Sequence, residues 1–268
     1  MSILPPFPNT ILFVIAALFG AIVGSFLNVV ILRLPDAAAS IIYPASRCPR
    51  CRQPLSWHEN IPVISYLYLR GRCRHCHEKI SWQYPAVELT MALLSAALVW
   101  KFALTAVTAG FFLLIAALVV ISVIDIRLQI IPDAITLPGI AVGFLFALVS
   151  GHITWRDSLL GIFLGGGILS IVAGLYQLLR HKEGMGGGDI KLLAMLGAFF
   201  GWQSLPFIIL ASSLTGSVIG LAAIALGKRL AAARIPFGPY LAGAAVVYLF
   251  FAQQIQWYLS AYTHGAWP

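Results

Sequence analysis

Charge is what this sequence has least of. Only 10% of its 268 residues are Asp, Glu, Lys or Arg, while 60% are hydrophobic. Soluble domains carry about 25% charged and 45–50% apolar residues. A mean hydropathy of +0.92 excludes an ordinary soluble enzyme, a disordered chain and a disulfide-rich secreted domain, and it points to a polytopic membrane protein. Acids are scarcer than bases, nine against 17. Cysteine is scarcer still: four, all between residues 48 and 76. No basic residue precedes the first apolar run and no small-residue cleavage site stands out, so a cleavable signal peptide is not expected. The HExxH of metallopeptidases, a Ser–His pair and the GK[ST] of phosphate-binding loops are all missing.

What is present is a series of apolar runs. Eight crossings are expected, at about 11–32, 86–104, 107–124, 134–150, 158–179, 190–203, 205–226 and 237–258, on the basis of roughly 20 residues per span. The fold class is therefore all-α, with a small polar insert between the first and second helices. Of the 17 lysines and arginines, 15 fall in the insert 33–85 or in alternate turns on the same side. The other side offers only Lys101 and Arg156. Basic loops stay inside, so that side is expected to be cytoplasmic, with both termini outside. The net charge of +8 is thus spent on topology, and no nucleic-acid partner is expected. The pairs Gly20/Gly24, Gly139/Gly143, Gly161/Gly165 and Gly216/Gly220 have the small-xxx-small spacing that lets helices approach closely.

The insert holds Cys48-Pro49-Arg50-Cys51 and Cys73-Arg74-His75-Cys76. Two CxxC pairs at this spacing suit a tetrahedral thiolate site, each pair gripping one edge of an ion. A reducing cytoplasm disfavours disulfides, and a block of about 50 residues has too little core to stand without a staple. Structural zinc is the expected occupant. A redox role and a metal-free site are the alternatives, with His58, His75 and His77 as substitute ligands.

Of the nine acids, Asp36, Glu59, Glu78, Asp157 and Glu183 have ordinary solvated explanations. Asp133 follows Ile131-Pro132 and is expected to N-cap the fourth crossing. Asp125 closes the apolar run of the third crossing, a depth at which an ionisable group is costly and usually functional. Asp189 follows Gly186, Gly187 and Gly188, which weaken a helix but permit close backbone approach and unusual φ values. Both aspartates fall at the inner membrane boundary on different helices. Two such carboxylates sharing one proton can supply a base for water and an acid for the carbonyl or leaving amine. Glu88, at the start of the second crossing, shares that depth and is a candidate for contact with a basic substrate segment.

At this point the chain resembles the bacterial type IV prepilin peptidases, the leader peptidase/N-methyltransferases of the GxGD aspartic protease family. The resemblance runs through Gly24-Ser25-Phe26-Leu27-Asn28-Val29-Val30, Arg33-Leu34-Pro35, the four cysteines, Trp57, Asn60-Ile61-Pro62-Val63 and Tyr84-Pro85-Ala86-Val87-Glu88. It continues through Asp125, Ile131-Pro132, Gly184–Lys191 and Ile235-Pro236-Phe237-Gly238-Pro239. It implies catalytic roles for Asp125 and Asp189. It also implies prepilin and pseudopilin substrates with a short basic leader ending in Gly, and cleavage at the cytoplasmic face of the bacterial inner membrane. Methylation of the new N-terminus with S-adenosylmethionine is implied by the resemblance alone, because no dinucleotide-type glycine fingerprint marks a methyl-donor site. The organisation expected is a first transmembrane helix (1–32), a cytoplasmic zinc-knuckle-like domain (33–85) and a transmembrane aspartic peptidase domain (86–268). The alternatives are a peptidase without methyl transfer and a proton-coupled transporter. A transporter usually places its acids near the midplane and repeats its helices, and neither feature is visible.

Overall fold

A computed structural model describes residues 10–36, 40, 42–43, 46–180, 186–226 and 236–264, with the side chains of 180 and 259–264 left out. Gly184, Met185 and Ile235 of the motifs, and Lys182, Lys228, Arg229 and Arg234 of the orientation argument, lie outside the described residues. Nine α-helices are present among those described: α1 (Thr10–Arg33), α2 (Ile64–Tyr68), α3 (Gln83–Phe102), α4 (Ala106–Leu128), α5 (Asp133–Ser150), α6 (Trp155–Arg180), α7 (Gly187–Phe200), α8 (Leu205–Ala225) and α9 (Gly238–His264). Each of the eight expected crossings is a helix, and α2 belongs to the insert. By length and composition, six of these, α1, α3, α4, α5, α6 and α8, can cross a membrane. α7 has only 14 residues, about 21 Å at 1.5 Å per residue. α9 is long but bends at Phe251, where φ is −122° and ψ 20°.

The chain forms two compact units, Met1–Val120 and Ile121–Pro268, which divide within α4. In the first unit α1 and α3 pack antiparallel. A Cβ on Gly20 would strike Ser95, and one on Gly24 would stand 2.8 Å from the Glu88 Cα. Asn28, 1% exposed, locks this pair: its Nδ2 donates to Gly24 O at 3.3 Å and to Tyr84 O at 3.2 Å. A buried amide must be paired to be tolerated, and here the pairing fixes the start of α3 against α1.

The second unit is built around α7. Every residue from Leu192 to Phe200 is buried, so this helix needs no lipid-facing side and can be short. Gly139 and Gly143 of α5 meet Met195 and Phe199 in parallel register. Gly161 and Gly165 of α6 meet Gly197 and Leu193 in antiparallel register. The Gly161 and Gly197 backbones touch, and a methyl on either would force the helices apart.

Candidate functional site

The α4–α5 turn and the first turn of α7 create the acid site. α4 runs on to Leu128, so Asp125 lies inside its last turn rather than after it. The chain reverses at Gln129, whose φ is +56°, and Ile131 then packs on Gly188, where a Cβ would lie 2.7 Å from the Ile131 Cβ. Pro132 is the N-cap of α5 and no side chain caps it. The expected capping role of Asp133 is therefore corrected. As the first residue of α5, Asp133 instead receives Lys191 Nζ at 2.6 and 2.7 Å on its two oxygens. The turn is thus fastened to α7 twice, through Gly188 and Lys191, on either side of Asp189.

Gly186 N-caps α7 with φ −70° and ψ 138°. None of Gly186, Gly187 and Gly188 has a positive φ, so the run does not serve unusual backbone angles. It serves space. Gly188 is pressed against Ile131, while a Cβ on Gly187 would meet nothing within 4 Å. Asp189 does not cap the helix; its backbone N–H donates to Gly186 O at 3.2 Å, while its carboxylate makes no hydrogen bond to a described residue. Its carboxylate is half-buried and close enough to Asp125 for the two charges to act on each other.

Asp125 is 5% exposed. Its Oδ2 accepts the backbone N–H of Gly238 at 2.8 Å. Gly238 opens α9, where an N–H lacks an intrahelical acceptor. The N-terminus of α9 meets Asp125 through this bond, and Asp189 stands in the first turn of α7; a helix N-terminus carries a partial positive charge of about half a unit. The buried Asp125 carboxylate is offset here by the peptide dipole of α9. The importance of Gly238 was legible only as part of Phe237-Gly238-Pro239; nothing in the sequence linked it to Asp125, 113 residues away.

In the other unit, the four cysteines form two matching knuckles. Arg52 N donates to Cys48 O at 2.9 Å, and His77 N to Cys73 O at 3.0 Å. Cys48 N and Cys73 N in turn donate to Gln53 O and Glu78 O. Arg52 and His77 take φ of 58° and 56°, a left-handed conformation costing roughly 1–2 kcal/mol in a non-glycine residue. The four Sγ atoms lie within 4.8 Å of one another, with Cys48–Cys76 at 3.8 Å and Cys51–Cys73 at 4.0 Å. A tetrahedral ion with bonds of about 2.3 Å puts its sulfurs about 3.8 Å apart. The cluster fits a metal ion and contains no disulfide. Burial opposes ionisation of Cys48, but the N–H groups of Cys51 and Arg50 and the adjacent thiols lower its pKa to about 7. A Glu78 N–H favours the Cys76 thiolate, but burial and the other three thiols raise its pKa to about 11. The first thiolate forms readily and the last does not, which is the situation a cation relieves.

No histidine joins the cluster among the described residues; His58 Nε2 instead meets Arg74 Nη1 at 2.9 Å. Glu59, expected to be solvated, is buried. It accepts Ser56 N–H at 2.8 Å in a capping box, which holds its carboxyl below the ordinary range against the cost of burial. Glu88 is 7% exposed. Its Oε2 accepts Val63 N–H at 2.7 Å. It ties the insert to α3.

Comparison with known proteins agrees with the two-part architecture. Residues 18–102 match the bacterial peptidase A24 N-terminal domain, and residues 111–221 match the type IV leader peptidase family. The chain is 40% identical over 273 aligned residues to a prepilin leader peptidase/N-methyltransferase of Aeromonas salmonicida (strain A449), covering 92% of this chain and 94% of that protein. Proteins of the same name from Stutzerimonas stutzeri and Pseudomonas aeruginosa are 41% and 40% identical, covering 92% and 89% of this chain and 93% and 90% of those proteins. No solved structure is significantly similar.

Proposed function

The chain belongs to the type IV leader peptidase family, and from that premise we propose how its residues carry out the reaction. It is a multi-pass membrane enzyme that cleaves the leader of type IV prepilins and methylates the new N-terminus. The observation that supports an aspartic mechanism best is the meeting of Asp125 and Asp189 at two helix ends, with Asp125 held by Gly238 N–H.

Asp125 is the fixed member of the pair and Asp189 the one able to reorient. One carboxylate takes a proton from water, whose oxygen attacks the scissile carbonyl, while the other protonates the carbonyl oxygen. Collapse of the tetrahedral adduct breaks the C–N bond, and the amine leaves with the proton first taken from water. Gly186 and Gly187 leave room for an extended substrate backbone beside the acids. The leader's terminal Gly would remove the side chain that otherwise competes for that room.

The remaining assignments extend this reading. Pseudopilins are further substrates, and S-adenosylmethionine is the methyl donor, with no residue assigned to it. The four cysteines would hold one structural zinc ion and keep the insert folded. The basic excess of the insert supports a bacterial inner-membrane location with the acids at the cytoplasmic face. The division into 1–32, 33–85 and 86–268 is a functional one, with the insert as the cytoplasmic part. Glu88 supports the substrate site by setting the insert on α3. Incubating purified protein with a precursor pilin, with and without S-adenosylmethionine, and weighing the products by mass spectrometry tests both activities. An unshortened precursor would overturn the peptidase assignment. A shortened product that gains no methyl would remove the transferase.

A further inference from the structure

Ile64, Leu67 and Tyr68 are the i, i+3 and i+4 positions of α2, so they share one face of that helix. They are 61%, 68% and 85% exposed. Trp82, the residue before α3, is 73% exposed. Single apolar residues on a surface need no explanation, but a whole helix face does.

The position of this face relative to the bilayer follows from its tether. Val63 precedes α2 and donates its N–H to Glu88. Glu88 lies five residues into α3, about 7.5 Å along its axis, and α3 is long and apolar enough to cross a membrane. One end of α2 is therefore held level with the second turn of a spanning helix. Val63 pays for this with φ +61°, a strained angle for a β-branched residue, so the attachment is specific in orientation. Trp82 is contiguous with the same span. Tyr and Trp favour the membrane–water interface, and the exposed Arg70 and Arg72 follow α2 directly, where guanidinium groups would meet lipid phosphates.

We propose that α2 is an interfacial anchor, with Ile64, Leu67 and Tyr68 seated in the headgroup–acyl boundary of the bilayer beside α3. The insert is then laid on the membrane surface rather than standing free of it. A docked protein is the competing occupant. The tether favours lipid, because it puts the face at bilayer depth whether or not a partner is present. The inference does not depend on the catalytic assignment.

The test uses the full chain in nanodiscs of phosphatidylethanolamine and phosphatidylglycerol, with Tyr68→Trp as the reporter. The signal is the emission difference from the unsubstituted protein. Phosphatidylcholine brominated near the headgroup end of its acyl chains should quench that signal by at least about twofold, as for a group roughly 5–10 Å into the boundary. Adding Leu67→Glu to the same chain should reduce the quenching. Bromolipid quenching, with or without quenching by aqueous iodide, upholds the anchor. Iodide quenching without bromolipid quenching puts α2 in water and overturns it. Protection from both reagents assigns the face to a protein surface and overturns it equally. Unchanged bromolipid quenching in the Leu67→Glu chain removes this face from the interaction.

Discussion

The backbone N–H of Gly238 donates to Asp125 Oδ2 at 2.8 Å, and a Cβ at position 238 would stand 2.8 Å from that same oxygen. Only glycine lets the amide reach the acid. Gly238→Ala should push the carboxylate out of place, and misplacement by about 1 Å costs on the order of 10²-fold in rate. The expected result is a fall in kcat for leader cleavage with little change in KM. Gly243→Ala in the same helix, whose Cβ would meet nothing within 4 Å, should cleave normally. Equal rates for the two variants would show that Asp125 does not need its amide.

Asp125→Asn and Asp189→Asn should each abolish cleavage while leaving the protein inserted in membranes. Groups that act as a unit are not additive, so the double variant should be little worse than either single one. The measurement is prepilin shortening against a time course long enough to detect residual activity. Normal cleavage by one single variant would take that residue out of the mechanism.

Hydropathy made the helices legible. The expected 134–150 and 205–226 became Asp133–Ser150 and Leu205–Ala225, because a long apolar run in this composition has no alternative to a helix. The glycine pairs also reported their packing, since a missing side chain marks the place where a neighbouring helix must fit. What periodicity does not encode is which distant segments meet. The Gly238–Asp125 bond spans 113 residues and Lys191–Asp133 spans 58. Glu88 illustrates the same limit. Its burial could be suspected from its place in α3, but its partner, the Val63 amide, is a backbone group that any residue would supply.

The Lys191–Asp133 pair predicts a mild effect for a different reason from capping. The side chains are 38% and 56% exposed, and such pairs are worth about 0.2–1 kcal/mol. Asp133→Asn and Lys191→Met should each slow cleavage only a few-fold. The double variant should cost no more than the larger single effect, because both remove one interaction. Purely additive losses in that cycle would show that the two residues act separately.

Metal binding by the cysteines should release protons, and more of them at lower pH. At about pH 6 Cys48, which titrates at about 7, is largely protonated, and so is Cys76, which titrates at about 11; each ligand must lose its proton to bind. At about pH 8 Cys48 is already ionised, while Cys76, with its pKa at about 11, still carries its proton. Affinity should therefore rise with pH. Calorimetric titration of the metal-stripped protein with zinc, in buffers of different ionisation enthalpy, measures the release. Elemental analysis should find one ion per chain, and serine at any of the four positions should loosen the insert. Proton release that does not change between the two pH values would argue against thiolate coordination.

Gly187 and Gly188 are neighbours in one motif, yet their surroundings predict opposite kinds of damage. A Cβ on Gly188 would lie 2.7 Å from the Ile131 Cβ, so Gly188→Ala must separate α7 from the α4–α5 turn. Overpacking of this kind costs about 1–3 kcal/mol, and it would move Asp125 and Asp189 apart. Thermal stability and kcat should fall together. A Cβ on Gly187 would meet nothing within 4 Å, so Gly187→Val should leave stability close to that of the native protein. Its side chain would instead occupy the open space beside the acid pair, where the cleavage-site backbone must pass. The expected signature is a raised KM for a precursor with a glycine-ended leader, and a larger penalty for a precursor with a bulky residue there. Should Gly187→Val cleave both precursors as the native protein does, the substrate does not approach over Gly187, and the glycine run serves only to seat α7 against Ile131.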